Sequence, residues 1–211
     1  MYIKWIVCDV KSDMRNKFSA SQEKWKDTTK AEGFIAQAGG WNLLNLNEAC
    51  IISFWKNKKS LDWFMQNLHD KIFNNNKQAV SYKAINVGYF DKVLNMEGEV
   101  NSLTKAVEKS KLLRIADCEV KPDKAEHFVN MQKEVWLPGM RQAKGMLGGI
   151  FSKNNLRYLV STFWDNKENH TKYTEDLLPG LKVKSNVADD IINIVGMKIL
   201  LVDSWKVINR L

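Results

Sequence analysis

Runs dense in β-branched and aromatic residues alternate along this chain with polar segments that carry apolar residues three, four or seven apart. The first pattern builds strands and the second amphipathic helices, because side chains share a face every two residues on a strand and every 3.6 on a helix. Residues 2–10 predict a strand, after which Met14, Phe18 and Trp25 fall on one helical stripe, with Asp13 placed to cap it. Gly33 predicts the end of that helix, since a left-handed C-terminal cap suits glycine. Strands over 34–44 and 49–55 then pair across a polar turn at 45–48. Leu61, Phe64, Met65 and Leu68 mark a second helix over 58–73, and a strand near 84–94 follows.

The chain then runs through the same plan again. A strand around 115–121 leads to a helix opening at Pro122, where Asp123 and Glu126 have capping-box spacing. Ala125, Phe128, Met131, Val135 and Trp136 form its stripe, and Pro138 predicts its stop. Past Gly145 come strands over 146–152 and 157–164, a weaker helix over 166–178 ended by Pro179-Gly180, and a strand over 197–207. A short helix near 186–194 has no visible counterpart in the first half.

The repetition is written in the residues as well as in the pattern. Cys8 and Cys118 are 110 apart, as are Phe18 and Phe128; Trp25 and Trp136 are 111 apart; Phe54-Trp55-Lys56-Asn57-Lys58 returns as Phe163-Trp164-Asp165-Asn166-Lys167 at a separation of 109. A separation that drifts by a residue or two between landmarks is the mark of duplication followed by loop insertions and deletions. The expected organisation is a module over 1–95, a charged connector with helical propensity over 96–110, and a second module over 111–211. Each module, read as βαββαβ, gives a four-stranded antiparallel sheet with both helices on one face. The other face keeps apolar residues whose exposure is unfavourable at about 25 cal/mol per Å². Packing the two modules sheet to sheet within one chain removes it, so the expected fold class is α+β: two ferredoxin-like modules forming an intrachain pseudo-dimer, with a monomer preferred over a homodimer.

Charge narrows the partners. The net charge of +8 divides evenly, with 15 Lys and Arg against 11 Asp and Glu up to residue 105 and 17 against 13 beyond it. Basic residues alternate with acids rather than forming a stripe, which argues against nucleic acid. No apolar run approaches the roughly 20 residues that span a bilayer, and three cysteines without a CxxC spacing suit a reducing cytoplasm. No spacing among the three histidines suggests a metal site.

The segments from Gln22-Glu23-Lys24-Trp25 through Gly33-Phe34-Ile35-Ala36-Gln37, then Gly39-Gly40-Trp41, and Phe54-Trp55-Lys56-Asn57-Lys58-Lys59-Ser60-Leu61 resemble the antibiotic-biosynthesis-monooxygenase-like modules of the dimeric α+β-barrel superfamily. The resemblance covers both halves, about 95 residues each, and is strongest to a fused, uncharacterised bacterial branch of the YdbC kind. It implies a pocket between sheet and helices that takes a small apolar or aromatic molecule and oxidises it without a cofactor. The alternative is a non-enzymatic ligand-binding or structural pseudo-dimer. Haem binding is disfavoured, because His69 follows Trp63 by six residues where haem-degrading members need about ten, and the second half has Tyr173 at the Trp position.

Oxidation without a cofactor requires the substrate to become an electron-rich anion, so the protein must supply an apolar cavity and polar groups that stabilise negative charge. Gln37, Asn42, Asn57, His69 and Arg114 are the candidates for that task, with His69 and Asn57 in front. Trp25, Trp41, Trp55, Trp63, Trp136 and Trp164 are the candidate walls. His127 and His170 are expected on the surface.

Overall fold

A computed structural model describes residues 1–210. The chain divides into two compact units, one formed by Met1–Asp91 with Ile199–Leu211 and the other by Lys92–Lys198. These units differ from the two halves of the sequence in taking the end of the chain into the first unit.

In the first unit β1 (Tyr2–Val10) leads to α1 (Arg15–Gln22), which continues as a 3-10 helix over Glu23–Lys30. Asp13 lies in a preceding 3-10 turn and makes no cap bond. Gly33, at φ +79°, turns the chain into β2 (Phe34–Asn42), and a Cβ there would run into the Ser60 hydroxyl. After β3 (Glu48–Trp55), the second helix is built from α2 (Lys58–Phe64), a π-helical turn over Met65–His69 and α3 (Asp70–Asn76). β4 (Tyr82–Glu97) begins at a short 3-10 turn. β1 pairs antiparallel with both β3 and β4, and β3 with β2, giving the order β2-β3-β1-β4 expected of a βαββαβ module.

The second unit repeats these elements. It opens with α4 (Leu103–Lys109), in the stretch read as a connector, and continues with β5 (Leu112–Val120). α5 (Ala125–Met131), a π turn over Gln132–Trp136 and α6 (Leu137–Arg141) make its first helix. The expected capping box is absent, as no side chain caps α5, and Pro138 begins α6 instead of stopping the helix. Proline is tolerated there because a first-turn N–H has no helical partner to lose. β6 (Met146–Asn154) and β7 (Arg157–Trp164) form the hairpin, and α7 (Lys167–Lys172), a π turn over Tyr173–Leu177 and α8 (Leu178–Ser185) carry the helix past Pro179 in the same way. The helix expected near 186–194 is a 3-10 turn over Val187–Asp190 with a counterpart at Gln78–Ser81, and β8 (Ile191–Leu201) follows it. β7 pairs with β6 and β5, giving the order β6-β7-β5-β8.

The final residues complete the first unit. Ile199–Leu201 pairs with Gly40–Asn42, and β9 (Val207–Ile208) pairs with Ala36–Gln37 of the same strand. Between them Trp205 is fully buried against Phe18 and Trp41, with ring centroids 5.7 and 5.5 Å away. Its Nε1 donates to Ser19 Oγ at 3.0 Å. Among the described residues no helix is long and apolar enough to cross a membrane.

Candidate functional site

Alternation along β1 sends Lys4, Ile6 and Cys8 to the helix-bearing face of the first sheet, and there they floor a cavity of about 230 Å³. Gln37 from β2 and Ser53 and Trp55 from β3 extend the floor, and Trp25, Phe64, Met65, His69 and Phe73 form the roof. The π turn inserts one residue into the helix and so changes which side chains meet the sheet; Met65 and His69 are its two ends.

The polar groups in this apolar enclosure are distinctive. Lys4 is 7% exposed, and its Nζ donates to Met65 Sδ at 3.3 Å. Among the described residues no carboxylate pairs with it, and burial lowers its pKa from 10.5 to about 8. The Gln37 amide nitrogen and the Thr28 hydroxyl are buried without partners. His69 Nδ1 lies 2.9 Å from Asp70 Oδ1, which leaves Nε2 as the acceptor when Nδ1 carries the proton. Its ring stacks on Phe73 at 5.8 Å and meets Trp25 at 5.4 Å. Burial and then the Lys4 charge lower its pKa, opposed by Asp70, so at neutral pH the imidazole is uncharged. Cys8 is held as a thiol, its pKa pushed up to about 12 by burial.

The second unit has its own cavity of about 600 Å³, with Arg114, Gln132 and Trp136 in its wall. The strand registers align the two sites: Lys4 and Arg114 face Ser53 and Thr162 across their ladders, and Gln37 and Gly149 face the same two residues from the other side. The basic residue, Gln22 with Gln132, Trp25 with Trp136 and Cys8 with Cys118 are thus common to both cavities. Gln37 and His69 belong to the first alone, as Gly149 and Leu178 stand at the matching positions.

Of the residues singled out from sequence, Trp25, Trp55, His69 and Gln37 meet in the first cavity, and Trp136 and Arg114 in the second. The others lie elsewhere. Asn57 is the N-cap of α2, its Oδ1 accepting from Ser60 N at 2.9 Å. Trp63 is 48% exposed. Trp41 packs on Phe18 and Trp205 beneath the Arg15 guanidinium, 3.9 Å from its ring centroid. Asn42 bonds to Glu48 at the β2–β3 turn. Trp164 is sealed under His170 and Tyr173. His170, expected on the surface, is 1% exposed with neither ring nitrogen hydrogen-bonded, and burial takes its pKa down to about 4. His127 is held by Asp190 at 2.6 Å. Sequence reasoning missed Lys4, Thr28 and Met65; a lysine on the inward phase of β1, 110 residues before Arg114, was the available signal for the first. Among the described residues no cluster of three His, Cys, Asp or Glu could hold a metal ion.

Comparison with known proteins places this geometry. Residues 2–90 match the model of a domain of unknown function, DUF4937. The uncharacterised protein YdbC of Bacillus subtilis (strain 168) is 36% identical over 95 residues, which are 44% of this chain and 79% of that protein. Among solved structures, a candidate monooxygenase from Lactobacillus acidophilus NCFM superposes with a TM-score of 0.74 at 13% identity, over 99% of this chain and 96% of that one. A second, from Fusobacterium nucleatum, gives 0.76 at 11% identity over 95% and 91%. An anthrone oxidase-like protein gives 0.72 at 9% identity over 100% and 94%. At such identities the likeness speaks for the fold alone, which is the α+β fold expected from the duplicated pattern. The curated match carries more: the chain belongs to the family of YdbC, within the dimeric α+β-barrel, monooxygenase-like fold.

Proposed function

We propose that the first cavity binds a small aromatic molecule with an acidic C–H or O–H and holds it as an anion for reaction with dioxygen, the chemistry of a cofactor-independent monooxygenase. The observation that carries this reading is the set of groups sharing one aromatic enclosure: an uncharged imidazole, an ammonium with no carboxylate partner, and an unpartnered amide donor. His69 Nε2 accepts the proton. Lys4 and Gln37 stabilise the charge left on the substrate oxygen, and the low dielectric of the apolar walls strengthens that interaction. The carbanion gives its electrons to dioxygen, forming a C–O bond; loss of water from the resulting hydroperoxide leaves a carbonyl, so that CH2 and O2 become C=O and H2O. Asn57, as a helix cap, has no part in this scheme.

Anthrone is the probe, and oxygen uptake with formation of anthraquinone is the readout. Uptake above the uncatalysed rate, reduced at least 10-fold in His69→Gln and in Lys4→Met, supports the proposal. Tight binding of anthrone without oxygen uptake leaves a non-enzymatic ligand-binding protein. No binding removes the reading. We further propose that the chain works as a monomer, which light scattering tests.

A further inference from the structure

The second cavity carries two cationic side chains where the first carries one, and it lacks the imidazole. Arg114 and Lys182 contribute two cationic side chains to its wall, and no Asp or Glu lines it. Among the described residues neither cation has a hydrogen-bonding or ion-pair partner, and neither does the side chain of Gln132. Asp189 and Asp190 fall within the lining segment of the chain without lining the cavity; Asp190 is 2% exposed and already joined to His127, and Asp189 is exposed. Cys118, His170 and Tyr173 all feel the positive charge of Arg114, and burial keeps the first two uncharged. Trp136 is 8% exposed and its Nε1 has no acceptor. The rest of the wall is apolar, including Phe128, Met140, Val160 and Ile191, with the exposed Ile192 and Ile194 of β8 at its margin.

Two amides, Gln132 and Asn193, can donate or accept, but the charges in the wall are all positive, and such a cavity is short of an anion. One guanidinium presents a planar fork that fits a carboxylate through two parallel hydrogen bonds, and a lysine adds a second positive charge. The volume, about 600 Å³, lies within the range of roughly 300–1,000 Å³ that encloses small organic ligands. We infer that the second unit is a separate binding site for a monocarboxylate with an apolar body, Arg114 holding the carboxylate and the Phe128, Met140 and Val160 wall the hydrocarbon. No imidazole lines this cavity, so the site binds without the proton chemistry assigned to the first.

The probes are octanoate and 1-octanol, titrated calorimetrically into the full chain. Octanoate binds at one site at least 10-fold more tightly than octanol. Arg114→Met abolishes that preference while leaving octanol binding within 2-fold, and Lys182→Met weakens octanoate by a smaller factor. His69→Gln and Lys4→Met leave octanoate binding unchanged, so failure here and failure of the proposal for the first cavity are separable. In case Arg114→Met does not fold, the indole N–H resonance of Trp136 in the wild-type chain, identified with Trp136→Phe, shifts with octanoate and not with chloride. Equal affinity for the two probes, an octanoate preference that survives Arg114→Met, or a Trp136 resonance unmoved by octanoate overturns the inference.

Discussion

Replacing Lys4 by methionine separates what the buried amine costs the fold from what it gives the site. Methionine keeps the length of the side chain and removes the charge. In the wild-type chain the amine binds its proton more weakly when folded, at about 8, than when unfolded, at about 10.5. That difference is worth about 3 kcal/mol, on the order of 1.4 kcal/mol for each tenfold change in proton affinity. The sign follows from proton uptake: between pH 8 and 10.5 the unfolded chain holds more protons than the folded one, so stability rises with pH. Below about pH 8 both states are charged and the penalty is constant. Lys4→Met is therefore more stable than wild type at pH 7 by about 1–3 kcal/mol, the lower end allowing for relaxation around a buried charge. The advantage shrinks towards pH 10. Urea unfolding of both proteins at pH 7, 8.5 and 10 measures this directly, and the variant serves as the blank for every other group that titrates. A variant no more stable than wild type at pH 7, or a difference that does not change with pH, refutes the account of Lys4 as an uncompensated buried ammonium. The same substitution removes the partner of a bound anion, so stability is gained as affinity for an acidic phenol is lost.

Three further outcomes follow from the geometry. His170→Leu, which copies Leu61 of the first half, protects against acid: His170 is neutral when buried and charged when unfolded, so wild-type stability falls as pH drops from about 6.5 towards 4, by about 2 kcal/mol at pH 5, and the variant lacks that slope in denaturation at pH 5 and 7. Asn57→Ala lowers stability by about 1 kcal/mol through loss of the cap to Ser60 and leaves ligand affinity in both cavities unchanged by calorimetry. Trp205→Ala opens a hole beside Phe18 and Trp41 and costs roughly 3–5 kcal/mol, read as a lowered urea midpoint; a loss below 1 kcal/mol would show that the last strand is not part of the first unit's core.

The fold was legible because its landmarks are large. Phe18 and Phe128, Trp25 and Trp136, and Phe54-Trp55 and Phe163-Trp164 are bulky enough to be retained in both copies, and the drift between them fixes the loops. Pro138 and Pro179 were misread because a proline stops an uninterrupted helix, whereas here each begins a new helical segment after a π turn, and nothing local in the sequence announces such a turn. The site was half legible. Aromatic walls can be read from composition, but Lys4 looks like any solvent-facing polar residue until the phase of β1 is known. His170 reads as polar in a weak helix, and its burial follows from Trp164 and Tyr173 closing over it in three dimensions. Which tryptophans meet a cavity depends on side-chain direction, so Trp63 and Phe64, adjacent in sequence, end on opposite sides of one helix.

The π turn at Met65–His69 makes the first site sensitive to counting as well as to chemistry. One residue more than an α-helix would hold is stored there, between two ordinary helical segments. Deleting Gln66, an exposed residue, would remove the stored residue and close the segment to an uninterrupted α-helix, with α2 and α3 kept in their present register. The change would fall on the turn itself, altering the spacing between Met65 and His69 over the cavity without any cavity residue having been replaced. A single codon lost from the outer surface thus reaches the cavity through the turn, so that the geometry between imidazole and ammonium depends on the number of residues in the helix as well as on their identity.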